Sequence, residues 1–175
     1  MDNLTKVSLQ APYLLFIGDV NLPLYAKTGL GIIQWRPELV AGQLRFPECK
    51  VDMGVPDMTL QDAVAAGVKS LIIGVAPVGG IIPEAWWQTI EAAALAGLDI
   101  VCGLHLKLAD FPNITAAAEK SGARLIDVRK PPINIPIGSG QKRSGKRLLM
   151  VGTDCAVGKK YSALAIEQAI NNKGL

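Results

Sequence analysis

The sequence predicts an α/β protein: a Rossmann-like open parallel sheet with helices on both faces, followed by the start of a P-loop NTPase-like α/β domain. Two observations carry that expectation. Short apolar runs alternate with stretches of helical periodicity, and nearly every run closes on glycine. Later, a glycine-rich turn from Gly152 to Lys159 stands between a strand pattern and a helix pattern.

The elements read in order along the chain. Tyr13-Leu14-Leu15-Phe16-Ile17-Gly18 is a first strand, apolar on both faces as a covered parallel strand must be. Leu22 to Pro56 mixes prolines, glycines and apolar pairs, which suggests one short helix and one or two short strands. Thr59 is an N-cap for a helix through Ala66, stopped by Gly67. Ser70 to Val75 is a strand. Pro83 and Glu84 open a helix that places Trp87, Ile90, Ala94 and Leu95 on one face and ends at Gly97. Leu98–Cys102 is the next strand, Ile114–Lys120 the next helix and Arg124–Val128 the next strand. Residues 1–129 thus form the Rossmann-like domain.

Lys130 to Lys146 breaks the rhythm. Its prolines and glycines rule out a regular element, and Lys130, Lys142, Arg143 and Lys146 have no acidic residue among them. It reads as a basic linker, residues 130–146. Residues 147–175 then supply a strand (Arg147–Val151), the loop and a helix (Tyr161–Ile170). A P-loop NTPase needs further strands, one ending in a metal-binding carboxylate, so the P-loop domain is expected to be truncated.

Composition narrows the classes. At 175 residues the chain can bury one full domain and part of a second. Half the residues are apolar and 19% are charged, which fits a globular protein rather than a disordered one. A net charge of +3 gives no argument for a nucleic-acid partner. No membrane span is expected, because the longest uncharged run, Leu71 to Pro83, is broken by glycine and proline. Cys49, Cys102 and Cys155 form no CxxC pair, and no signal core opens the chain. Reduced thiols and a cytoplasmic location are expected, with no metal site.

The loop Gly152-Thr153-Asp154-Cys155-Ala156-Val157-Gly158-Lys159 carries most chemistry. A loop curled at a helix N-terminus aims several unpaired N–H groups at one point, and Lys159 adds a positive charge for phosphate oxygens. Five residues separate Gly152 from Gly158 where the common P-loop has four. That spacing resembles the loop of dethiobiotin-synthetase-like proteins. Lys160 stands where a Mg²⁺-binding hydroxyl is usual, and Ser162, the nearest hydroxyl, projects elsewhere, so Mg²⁺ binding is doubtful. Phosphate contacts are expected from Gly152 through Lys160, from Ser162 and from Arg143 of the linker.

In an open parallel sheet, ligands sit beyond the carboxyl ends of the strands. Asp19, His105 and Arg129 each follow a strand there. His105 is the chain's one histidine, and it is either a general base near neutral pH or a structural side chain. Lys27-Thr28-Gly29 and Trp35-Arg36-Pro37-Glu38 lie in the irregular early region. Arg36 either presents its fork to a carboxylate or pairs with Glu38.

Taken together, Tyr13–Asp19, Lys27-Thr28, Trp35–Glu38, Gly42-Gln43, Gly103–His105, Asp127–Arg129, Arg143–Arg147 and Gly152–Cys155 resemble the D-glutamate N-acetyltransferase-like family, formerly a domain-of-unknown-function family. Lys160 departs from the methionine associated with that position. The resemblance implies an N-terminal Rossmann-like domain, a C-terminal P-loop domain and acetyl transfer from acetyl-CoA to the amine of D-glutamate. It implies Lys27, Arg36 and Arg129 as carboxylate partners and His105 as the base. A homo-oligomer is expected. Two alternatives stand beside it: an ATP- or GTP-dependent enzyme, either a kinase or a dethiobiotin-synthetase-like ligase, and a non-catalytic nucleotide-binding module.

Overall fold

A computed structural model describes residues 7–77, 82–129, 137–142, 144–154 and 157–174. The chain divides into two units, Met1–Ile133 and Asn134–Leu175. The first is built on β1 (Tyr13–Gly18), α1 (Lys27–Trp35), β2 (Val40–Arg45), α2 (Leu60–Ala65), β3 (Ser70–Ile73), α3 (Glu84–Leu95), β4 (Asp99–Cys102), α4 (Pro112–Ser121) and β5 (Leu125–Asp127). The strands form one sheet in the order β2-β1-β3-β4-β5, and every neighbouring pair is parallel. Tyr13 lies opposite Ser70 and Phe16 opposite Ile73, so the central pair is in register along its length. All six residues of β1 are buried, which explains why its run is apolar on both faces.

Local signals fix the helix ends. Thr59 caps α2 through a reciprocal box: its hydroxyl accepts from the Asp62 N–H, and the Asp62 carboxylate accepts from the Thr59 N–H. The Asp62 carboxyl is held below the usual carboxylate range by the Thr59 hydroxyl and then by the Thr59 backbone N–H. Gly67 follows with φ +74°, a left-handed turn that ends the helix.

The inward face of α3 differs from the sequence expectation. The buried residues are Trp86, Ile90, Ala93 and Ala94, whereas Leu95 is 45% exposed and Trp87 only half-buried. The stripe is rotated toward Trp86 because Gly18 leaves room for its ring. A Cβ on Gly18 would lie 2.1 Å from that ring, and Gly18 takes φ +57°. Trp86 also packs edge-on against Phe16, with centroids 5.4 Å apart. Trp87 instead stacks on Phe111 at the start of α4, at 3.8 Å.

The early region resolves into one helix, one strand and a covered sheet edge. The Gln43 N–H donates to the Pro56 carbonyl at 2.8 Å, and the Met58 N–H donates to the Gln43 carbonyl at 2.9 Å. This segment shields the outer side of β2. Gly42 permits it, since a Cβ there would meet the Pro56 oxygen at 2.5 Å. Gln43 is fully buried, and its amide donates to Asp52 and Val55 and accepts from the Met53 N–H. Arg45 clamps Asp57 through two bonds of 2.7 Å.

The second unit contains α5 (Lys159–Asn172) and, among its described residues, no strand. Arg147–Val151, expected as a strand, is not one here. Leu148, Leu149 and Val151 are 70%, 81% and 77% exposed. A strand exists through its hydrogen-bonded neighbours, and no such neighbour lies among the described residues. No helix among the described residues is long and apolar enough to cross a membrane.

Candidate phosphate loop and sheet edge

The loop before α5 curls back on itself. A Cβ on Gly152 would lie 2.7 Å from Val157 and 3.1 Å from the Lys159 side chain, so the loop's two ends touch. Gly158 adopts φ +92° at the helix N-cap, and nothing lies within 4 Å of where its side chain would be. This is the open, glycine-lined approach that an anion needs. The Ser162 N–H closes the first helical bond on Gly158 O at 3.0 Å, so the loop ends at the N-terminus of α5. Lys159 opens the helix, and its Nζ donates to the Asp154 carbonyl. Thr153, Asp154, Val157, Lys160 and Ser162 are exposed. Arg143, Cys155 and Ala156 lie outside the described residues.

In the first unit, strand order fixes where a ligand belongs. The chain leaves β1 toward β2 but leaves β3 toward β4, so the connections diverge between β1 and β3 and open a crevice beyond their carboxyl ends. Gly18-Asp19 and Gly74-Val75-Ala76 frame this switch point. The start of α1 is tied to it: the Gly29 N–H donates to Gly74 O at 2.9 Å, and the Ala76 N–H donates to Tyr25 O at 2.8 Å. Glycine on both sides lets the two backbones approach closely. A Cβ on Gly29 would strike the Met53 sulfur at 2.7 Å, and one on Gly74 would come within 3.3 Å of Gly29 Cα. Lys27, exposed at the first position of α1, therefore stands at this edge.

His105 and Arg129 follow β4 and β5 on the same edge, both exposed. With strands about 4.8 Å apart, β4 lies on the order of 10 Å from β1. His105 thus flanks the crevice rather than sitting in it. The Leu108 N–H is shared by both oxygens of Asp127 at 3.3 Å, which braces the turn after His105. Cys102 is buried, and desolvation raises its thiol to about 11, so it carries no thiolate chemistry near neutral pH.

Arg36 does not join them. The nine residues of α1 descend about 13 Å from the crevice. Arg36 precedes Val40, the partner of Tyr13 at the opposite end of the sheet. Its Nη1 donates to the Trp35 carbonyl at 2.7 Å. Within this unit Lys27, His105 and Arg129 share an edge and Arg36 does not, because a crossover helix returns the chain to the amino ends of the strands.

Two features escaped sequence reasoning. The Asp19 carboxylate accepts a hydrogen bond from the buried Trp86 indole at 2.9 Å. The tandem tryptophans hid this, since periodicity alone does not say which one faces the sheet. A cleft of about 310 Å³ also lies between α3 and α4, lined by Trp87, Phe111, Glu84 and Glu91 among others. Only the tertiary pairing of two helices creates it.

The family model described as a domain of unknown function (DUF1611_N), Rossmann-like domain, matches residues 45–131. The model described as its P-loop domain (DUF1611_C) matches residues 136–175. A protein of Tritonibacter scottomollicae named D-glutamate N-acetyltransferase is 46% identical over 167 residues, which is 95% of this chain and 50% of that relative. One of the same name from Pseudoalteromonas sp. is 38% identical over 169 residues, 97% of this chain and 51% of the relative. The crystal structure of a DUF1611 family protein from Anabaena variabilis superposes with a TM-score of 0.78 at 28% identity, covering 94% of this chain and 51% of that one. The chain spans about half the length of the curated relatives it matches.

Proposed function

The chain belongs to the DUF1611 family, and from that membership we propose that it serves an N-acetyltransferase that moves the acetyl group of acetyl-CoA to the amine of D-glutamate. The observation that carries this reading is the 46% identity, over 95% of the chain, to a relative named for acetyl transfer to D-glutamate.

The residues present fit a donor of this kind. Coenzyme A is rich in phosphate, and the curled loop offers helix-end amides and the Lys159 ammonium to such an anion. The donor supplies an acyl group activated as a thioester. The chain's own part is to hold the two substrates and manage one proton. Lys27 and Arg129 are cations for the two carboxylates of glutamate, and Arg36, at the far end of the sheet, is not proposed with them. His105 is the base that takes the proton the amine loses as its nitrogen bonds to the acetyl carbon, while the C–S bond breaks and the coenzyme A thiolate leaves and takes up a proton as free thiol. Mg²⁺-dependent use of ATP or GTP fits less well, because Lys160 occupies the position of the hydroxyl that normally holds the metal.

The test is direct. The complete gene product, given acetyl-CoA, is expected to release free thiol only when D-glutamate is present, and to form N-acetyl-glutamate detectable by mass spectrometry. Thiol release indifferent to D-glutamate, or Mg²⁺-dependent ATP turnover in its place, overturns the assignment.

A further inference from the structure

We infer that Asp19 is the carboxylate that receives the ammonium group of the amino-acid substrate, and so selects an amine over an amine-free dicarboxylate. This deepens the acetyl-transfer reading and rests on it.

Asp19 is the first residue past β1, at the switch point, and its side chain is exposed. Its Oδ1 accepts from Trp86 Nε1 at 2.9 Å. That donor does not wander: Trp86 is 2% exposed, wedged against Phe16 and filling the space that Gly18 leaves. The carboxylate is therefore oriented from below by a rigid, uncharged group. Among the described residues its Oδ2 receives no hydrogen bond, and no Lys or Arg forms an ion pair with it. The acids beside the strands of this unit are engaged within the fold. Asp57 and Asp52 are paired with Arg45, Asp99 with Arg124, and Asp127 takes the Leu108 N–H. Asp19 thus keeps one oxygen for something from outside.

The chemistry of that oxygen selects its partner. A primary ammonium brings three N–H donors and a positive charge, which a fixed carboxylate matches with a short, charge-assisted bond. A dicarboxylate without the amine would bring a further negative charge to the same edge and find no donor there. Lys27, at the start of α1 on this edge, is suited to a substrate carboxylate, so the crevice offers one anion and one cation, as an amino acid requires. A purely structural role would need only an acceptor for the indole. Asparagine supplies that acceptor without the charge, which separates the two roles.

Calorimetric titration of the complete gene product with D-glutamate and with glutarate, which lacks the amine, tests the inference. Asp19→Asn is expected to bind D-glutamate at least tenfold more weakly while binding glutarate as tightly as before or more tightly. With 5-fluorotryptophan incorporated, D-glutamate is expected to shift the ¹⁹F resonance of Trp86, assigned through Trp86→Phe, and glutarate to leave it in place. Trp86→Phe, which frees the carboxylate without removing it, is expected to weaken D-glutamate several-fold and glutarate not at all. It carries the test if Asp19→Asn does not fold. Wild-type affinity for D-glutamate in Asp19→Asn, or in Trp86→Phe when it stands in, overturns the inference and leaves the acetyl-transfer reading intact. A wild-type protein that binds no D-glutamate overturns both.

Discussion

In the first unit Leu14, Leu15, Phe16, Ile17, Leu71 and Ile100 are all fully buried between parallel strands and their helices. In the second, Leu148, Leu149 and Val151 are at least 70% exposed, and α5 buries none of its residues. The apolar content of the two runs is similar, but their fates differ. What distinguishes them is the supply of partners. The strands of the first unit find neighbours within the same 133 residues, so their pattern converts into a sheet. The glycine-rich loop before α5 needs no such neighbours. Gly158 in the left-handed region, Lys159 folded onto the Asp154 carbonyl and one helical turn suffice to shape it. Such a loop is a local object and a strand is not.

The largest expected effect breaks or confirms that contrast. Phe16→Ala empties a site packed by Phe46 and Trp86, and should cost about 3–5 kcal/mol. Leu149→Ala, at 81% exposure, should change stability by no more than about 0.5 kcal/mol. Urea unfolding followed by tryptophan fluorescence measures both, since all the tryptophans, Trp35, Trp86 and Trp87, lie in the first unit. A loss of about 2 kcal/mol or more in Leu149→Ala would show that the apolar run is part of the first unit's core, and the contrast would fall.

The same division decides what could be read from sequence. The Thr59 cap and the Gly67 stop were legible because each is set by residues a few positions apart, and the strand runs of the first unit because their apolar patterns find partners within it. So was the glycine-rich turn that opens α5. The face of α3 was not, because Trp86 and Trp87 are equivalent in period. Only the missing side chain of Gly18, far away in sequence, chooses between them. The resemblance groups Arg36 with Lys27, whereas the crossover carries them to opposite ends of the sheet. Arg147–Val151 has the residues of a strand and lacks the pairing.

A smaller effect sharpens the contrast at the loop. Lys159→Ala removes one charged donor and should weaken binding of CoA or ATP by about 1.5–3 kcal/mol, roughly one to two decades in Kd. Fluorescence-monitored stability should be unchanged, because Lys159 belongs to the second unit. Calorimetry on the variant gives the affinity. Equal binding of both ligands by wild type and variant would show that the loop is not their site.

The smallest effect is an acid one confined to the first unit. Asp52 is held below the usual carboxylate range chiefly by the Gly54 N–H and then by the Gln43 amide, and Asp57 chiefly by its bond to Arg45. A depressed carboxyl is ionised in the folded chain at a pH where its unfolded counterpart takes up a proton. Its stabilisation is therefore complete above the ordinary value of about 3.9 and is lost as pH falls through that value toward the folded one. Because Asp52, Asp57 and Asp62 all lie beside the sheet, tryptophan-monitored stability should be level from neutral pH to about 5 and decline below it. Asp57→Asn takes one titrating group out, so the variant should be less stable at neutral pH, with a shallower acid decline. Asp57 is exposed and Arg45 only half-buried, which keeps the effect small. A decline as steep as wild type would mean that the Arg45 clamp opens in solution, leaving the shielded edge of β2 held by the Gln43 side chain and by the backbone bonds of Gln43 to Pro56 and Met58.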